Sequence, residues 1–138
     1  MTSLTPDQLE HLIDAAIDAG QYAYIPYSNY RVGPALLSED GKVYQGCNVE
    51  NAAYPACICG ERVALVKAIS EGVRTFQAIA VITENGGAPC GMCRQMLYEF
   101  APDLQVILLK ATREIVFNGL LRDLLPLGFG PEFLNVQP

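Results

Sequence analysis

Apolar residues at Leu9, Leu12, Ile13, Ala16 and Ile17 recur at the spacing of one helix face and predict an amphipathic helix that stops near Gly20. Its start is marked by Thr5 as cap, Pro6 at the first helical position and Gln8 placed to close a capping box. Tyr22 to Ser28 reads as a loop, and Tyr30 to Leu37 as a first strand in which Gly33 and Pro34 point to a bulge or an edge. The turn Ser38-Glu39-Asp40-Gly41 returns the chain into a second strand, Lys42 to Val49, so the two form a hairpin. Because side chains alternate across a strand, Asn48 and Glu50 are expected on one face at its end, where both could reach one ligand.

Ile58 to Glu71 is helical in pattern, with Ala64, Leu65, Ala68 and Ile69 on its apolar face and Gly72 as a stop. Phe76 to Thr83 carries an apolar run, Ala78 to Ile82, and predicts a buried strand. The turn-rich Glu84-Asn85-Gly86-Gly87-Ala88-Pro89 leads into a helix from about Cys90 to Phe100. Leu104 to Leu109 and Ile115 to Phe117 follow as strands, then one or two helical turns over Leu120 to Leu125, and a Pro- and Gly-containing tail without periodicity from Pro126 to Pro138. A hairpin followed by alternating helix and strand implies an α/β fold of three layers, α/β/α, around a mixed central sheet of about five strands. The two helices that open on cysteines flank the strand at 76–83, so their amino ends can converge at one edge of the sheet.

The 138 residues fit one domain, 1–138. Hydrophobic residues are 51% and charged ones 17%, a lean polar share that suggests surface hidden between subunits. Nine basic against fifteen acidic residues give a net charge of −6 with no Lys or Arg cluster, which argues against a nucleic acid partner. The first twenty residues resemble neither a secretory signal nor a transit peptide, and no stretch reaches the ~18 apolar residues of a spanning helix. No membrane role and a cytoplasmic location are therefore expected. Five cysteines without an export signal point to metal or thiol chemistry before disulfides.

Candidate chemistry collects in Cys59-Gly60-Glu61-Arg62 and Pro89-Cys90-Gly91-Met92-Cys93. Three thiols suit a zinc ion that keeps one coordination position for water, and a nearby carboxylate can then move protons. Three thiolates leave such a site with a negative charge, which helix amino ends and Arg62 could offset. Burial and like charge should raise the Glu61 pKa toward the range of a proton shuttle. Three other readings compete: ordinary buried cysteines, a closed four-sulfur cage that adds Cys57, and a redox dithiol at Cys90 and Cys93. His11 has no partner at ligand spacing and reads as solvent-facing.

The spacing Cys-x-Glu followed by Pro-Cys-x-x-Cys resembles that of the cytidine deaminases, whose signature and catalytic roles are general knowledge of zinc deaminases. Pro26 to Gly33, Gly46 to Ala52, Pro89 to Gln95 and Leu124 to Pro131 are similar to family blocks, in family order. The resemblance implies a cytidine deaminase-like fold and a small homotetrameric enzyme that hydrolyses cytidine and 2′-deoxycytidine to the uracil nucleosides in pyrimidine salvage. It implies Cys59, Cys90 and Cys93 as Zn2+ ligands, an activated water attacking C4 of the base, and Glu61 as proton shuttle. It further implies ribose contacts from Asn48 and Glu50, base packing by Tyr30 at a position usually Phe, a base contact from the Gly60 N–H, and Phe129 reaching a neighbouring subunit's pocket. Gly60 stands where Ala is usual and is expected to add backbone freedom at a catalytic turn. Ala88 replaces a common Ser, and Pro55-Ala56-Cys57 a more usual small and polar stretch. Free nucleosides are expected over nucleotides, since no cation or glycine-rich phosphate cradle accompanies Glu50.

Overall fold

In the computed structural model, which describes residues 4–138, the first helix, α1 (Pro6–Gly20), begins as its sequence predicts. The Thr5 hydroxyl accepts from Gln8 N at 3.1 Å while Gln8 Oε1 accepts from Thr5 N at 2.9 Å, so two otherwise orphaned helix-start N–H groups are satisfied reciprocally. Its buried face carries Leu12, Ile13 and Ala16.

Five strands follow: β1 (Gly33–Ser38), β2 (Val43–Gln45), β3 (Phe76–Thr83), β4 (Gln105–Lys110) and β5 (Ile115–Leu120). They form one sheet in the order β2-β1-β3-β4-β5. All pairs are antiparallel except β3 with β4, where Ala80 lies opposite Ile107. That parallel pair needs a crossover, which the helix α3 (Gly91–Phe100) supplies; α2 (Gly60–Ser70) precedes β3, and α4 (Leu121–Leu124) follows β5.

The alternation of side chains along the central strands builds two cores. Ala35, Leu37, Ala78, Ala80, Ile82, Ile107 and Leu109 pack with α1 on one face. Leu36, Ile79, Val81, Val106 and Leu108 pack on the other with Ala64, Leu65 and Ala68 of α2 and Leu97 of α3. The mixed five-stranded sheet in three layers is therefore as the pattern predicts. No helix among the described residues is long and apolar enough to cross a membrane.

Several boundaries differ from the pattern for local reasons. β1 starts at Gly33 instead of Tyr30, because residues 30–32 are bonded to the Asn48 side chain and not to a neighbouring strand. It is an interior strand and not an edge, and its irregularity falls at Leu37/Ser38. Pro34 is tolerated there because its carbonyl accepts from Gly46 N at 3.2 Å, just beyond the end of β2, so the N–H it lacks would also face that side.

β2 ends at Gln45, and residues 46–50 leave the sheet as an extended segment. Val49 pairs instead with Tyr24 and Ile58. Ile58 thus belongs to this crossing and not to α2, which begins two residues later. β5 runs on to Leu120, three residues past the predicted end, and the tail holds a 3-10 turn at Pro131–Leu134.

Candidate metal centre and substrate site

Cys59 is the N-cap of α2 and Cys90 the N-cap of α3, with extended backbone at both, and Cys93 lies three residues into α3. Neither cap side chain bonds to its own helix, so both sulfurs are free to point elsewhere. They meet: Cys59 Sγ lies 3.7 Å from Cys90 Sγ, and Cys90 Sγ lies 3.4 Å from Cys93 Sγ. All three sulfurs fall within 4.8 Å of one another. Tetrahedral zinc–sulfur bonds of ~2.3 Å would set sulfurs about 3.8 Å apart, so this donor set fits a single zinc ion with little movement.

Cys57 is not part of the cluster. Its sulfur accepts from Asn51 N at 3.3 Å and lies 3.6 Å from Asn51 O, which removes the four-sulfur cage. The convergence of Cys59 on the pair likewise leaves the dithiol reading without a reason for the third sulfur. His11 is exposed and joins no ligand group among the described residues.

Glu61 is the second residue of α2 and is only 5% exposed. Burial pushes its carboxyl up to about 7, and the charge at Cys59 adds to the rise, as the sequence predicts. Cys59 is held down at about 5, first by a hydrogen bond from Cys93 and also by Arg62. Cys93, the donor to Cys59, is pushed up for the same reason. The Arg62 Nη2 reaches Cys59 Sγ at 3.7 Å and Cys57 O at 3.5 Å, so the guanidinium offsets sulfur charge as expected. Its Nε is buried and without a partner among the described residues.

A loop at 27–32 gathers the predicted sugar-side residues. The Glu50 carboxylate accepts from Tyr27 N at 2.9 Å, from Ser28 N at 3.1 Å and from the Ser28 hydroxyl. These donors, the hydroxyl foremost, hold its pKa below the usual carboxylate range. Asn48 Oδ1 accepts from Val32 N at 3.1 Å while its Nδ2 donates to Tyr30 O at 2.7 Å. Asn48 and Glu50 thus converge on one loop, although neither sits on a strand; one N–H and one lone pair of Asn48 stay uncommitted.

Gly60 is buried at the first helical position, where its N–H has no intrahelical acceptor. Phe129 is more than half exposed and stacked on Phe133, ring centres 5.2 Å apart, with its carbonyl accepting from Gln95 Nε2 at 2.9 Å. Two positioning residues escape a sequence reading. Arg94 ties Pro89 O at 2.7 Å to Leu124 O at 2.9 Å, bracing the turn before Cys90, and Ser28 orients Glu50. Their only sequence signal is membership of the family-like blocks.

Residues 6–109 match the family described as the cytidine and deoxycytidylate deaminase zinc-binding region. The chain is 43% identical over 129 residues to a cytidine deaminase of Sporosarcina psychrophila, covering 92% of this chain and 95% of that one. It is 42% identical over 134 residues to a probable cytidine deaminase of Dictyostelium discoideum, covering 95% and 90%. Among solved structures, cytidine deaminase from Burkholderia pseudomallei superposes with a TM-score of 0.84 at 46% identity, covering 91% of this chain and all of that one. This chain belongs to the cytidine and deoxycytidylate deaminase zinc-binding family. The Cys59, Cys90 and Cys93 cluster is where this chain could hold the zinc that the family binds.

Proposed function

We propose that this protein hydrolyses cytidine and 2′-deoxycytidine to uridine and 2′-deoxyuridine with release of ammonia, a reaction of pyrimidine salvage, in a single deaminase domain spanning 1–138. The observation that carries the reading is the buried Glu61 carboxyl, poised near 7, at the start of the helix whose cap sulfur joins two others. Relatives over nearly the whole chain that are named cytidine deaminase support it.

Zinc on Cys59, Cys90 and Cys93 would supply a Lewis acid that makes water nucleophilic near neutral pH. Glu61 takes the proton released by that water and gives it to the ring nitrogen; it then takes the remaining proton of the hydroxyl added at C4 and delivers it to the amine, so that the carbonyl forms as the C–N bond breaks and ammonia leaves. A carboxyl near 7 can work in both directions. The Gly60 N–H, which has no intrahelical acceptor, donates to the base carbonyl. Glu50, already ionised and oriented, and the uncommitted half of the Asn48 amide receive the ribose hydroxyls, while Tyr30 packs beside the base.

Phe129 completes the pocket of a neighbouring subunit in a homotetramer. Exposed apolar side chains at Val66, Met92 and Leu127 support a covered surface of that kind. Five free thiols suit a reducing compartment, so we place the protein in the cytoplasm.

The absorbance of cytidine, 2′-deoxycytidine and cytosine, followed with zinc-loaded protein, tests the activity. Both nucleosides should be converted, and Glu61→Gln should keep its zinc while turnover drops by about 10²–10⁴-fold. No conversion by the zinc-loaded protein, or full activity in Glu61→Gln, would overturn the reading.

A further inference from the structure

Tyr30 commits its polar groups to two separate parts of the chain. Its N–H donates to Ser28 Oγ at 3.0 Å, its carbonyl accepts from Asn48, and its hydroxyl donates to Asn85 Oδ1 at 2.6 Å. The first two partners belong to the sugar-side network. The third lies 55 residues away, in the loop between β3 and α3 that leads to Cys90.

That loop is shaped from within and from outside. The buried Thr83 hydroxyl accepts from Gly86 N at 2.8 Å and from Gly87 N at 2.9 Å. From outside, the Tyr30 hydroxyl packs so closely that a Cβ on Gly87 would lie 2.7 Å from its oxygen. Glycine at 87 is therefore the space that the hydroxyl occupies. A phenylalanine at 30 would offer the same ring to a base; only the hydroxyl makes the bond across the site.

We propose that the Tyr30–Asn85 hydrogen bond is a tether holding the sugar-side loop and the β3–α3 loop at a fixed spacing, and that Tyr30 and Asn85 thereby act as positioning residues for nucleoside binding. The inference rests on the nucleoside reading of the site. The tether acts on binding more than on turnover, because Cys90 has its own brace in the Arg94–Pro89 bond and Glu61 stands on a different helix. Cutting it loosens residues 84–87 and leaves the sulfurs in place.

The test uses the zinc-loaded full chain with Tyr30→Phe, Asn85→Ala, their double variant and Asn85→Asp, which keeps an acceptor for the hydroxyl. Cytidine KM should rise about threefold to tenfold in each of the first two, the effect of one lost neutral hydrogen bond, with kcat within about twofold of wild type. The double variant should be no worse than either single, and Asn85→Asp should stay near wild type. Amide exchange in the 84–88 segment should quicken in Tyr30→Phe and in Asn85→Ala. An unchanged KM in Tyr30→Phe, single effects that multiply in the double variant, or unaltered exchange would overturn the tether. If wild-type protein leaves cytidine intact, the deaminase reading fails, and amide exchange alone then decides whether the tether exists.

Discussion

Gly60 and Pro34 face each other so closely that a Cβ at position 60 would lie 2.9 Å from Pro34 Cδ, with the Cys47 carbonyl carbon at 3.1 Å and Asn48 N at 3.2 Å beyond it. The start of α2 is pressed against buried β1 and the 47–48 backbone, so a side chain at 60 needs one of these neighbours to shift. This lack of space stands beside the backbone freedom that the sequence suggests for glycine at this turn.

Gly60→Ala should therefore destabilise the protein by about 1–3 kcal/mol, the usual cost of overpacking. It should also disturb nucleoside binding, since it pushes the Asn48 segment away from the helix that carries Glu61. Pro34→Ala in the same chain should relieve much of the loss. Urea denaturation of both single variants and the double variant checks this, with a favourable coupling as the expected result.

Glu61 makes stability depend on pH. Its carboxyl titrates near 7 in the folded chain, against about 4.3 in an unfolded one. Between those values the folded state keeps a proton that the unfolded state has released, so stability falls as pH rises through that window. In metal-stripped protein, Glu61→Gln should thus match wild type near pH 4.5 and exceed it above pH 7 by about 3 kcal/mol. Chemical denaturation at the two pH values measures the gap.

Glu50 accepts three hydrogen bonds from Tyr27 and Ser28 while keeping lone pairs for a ligand. Removing it in Glu50→Ala should free the 27–28 loop and raise cytidine KM by at least about tenfold, as expected for bonds to a charged group. Zinc content should stay unchanged. Ser28→Ala should give a smaller rise, because both backbone donors remain.

Much of this architecture is legible in the sequence because its causes are local. Thr5, Pro6 and Gln8 announce α1 within four residues, and the apolar runs Ala78 to Ile82 and Val106 to Leu109 mark β3 and β4 as interior strands. Cys59, Glu61, Cys90 and Cys93 stand out because each sits at the start of a helical pattern. What stays hidden is long-range. β2 ends early because Val49 pairs with Tyr24 and Ile58, and residues 30–32 leave β1 because the Asn48 amide claims their backbone. The Tyr30–Asn85 bond and the Gly60–Pro34 contact join residues far apart in the chain, and no periodicity records them.

Phe129 tests whether the pocket is shared between subunits. Phe129→Ala and Glu61→Gln should each be nearly inactive alone. Mixed after dissociation and reassembly, they should recover activity, because in the proposed shared pocket a Glu61→Gln subunit would lend its Phe129 to a partner that still has Glu61. Activity that stays at the level of the separate variants would confine Phe129 to its own subunit.

X-ray absorption at the zinc edge of the loaded protein reaches the centre of the account. Three sulfur donors and one oxygen or nitrogen donor are the predicted shell, with Cys57→Ser leaving it unchanged. Four sulfurs, or fewer than three, would contradict the open site on which the proposed chemistry depends.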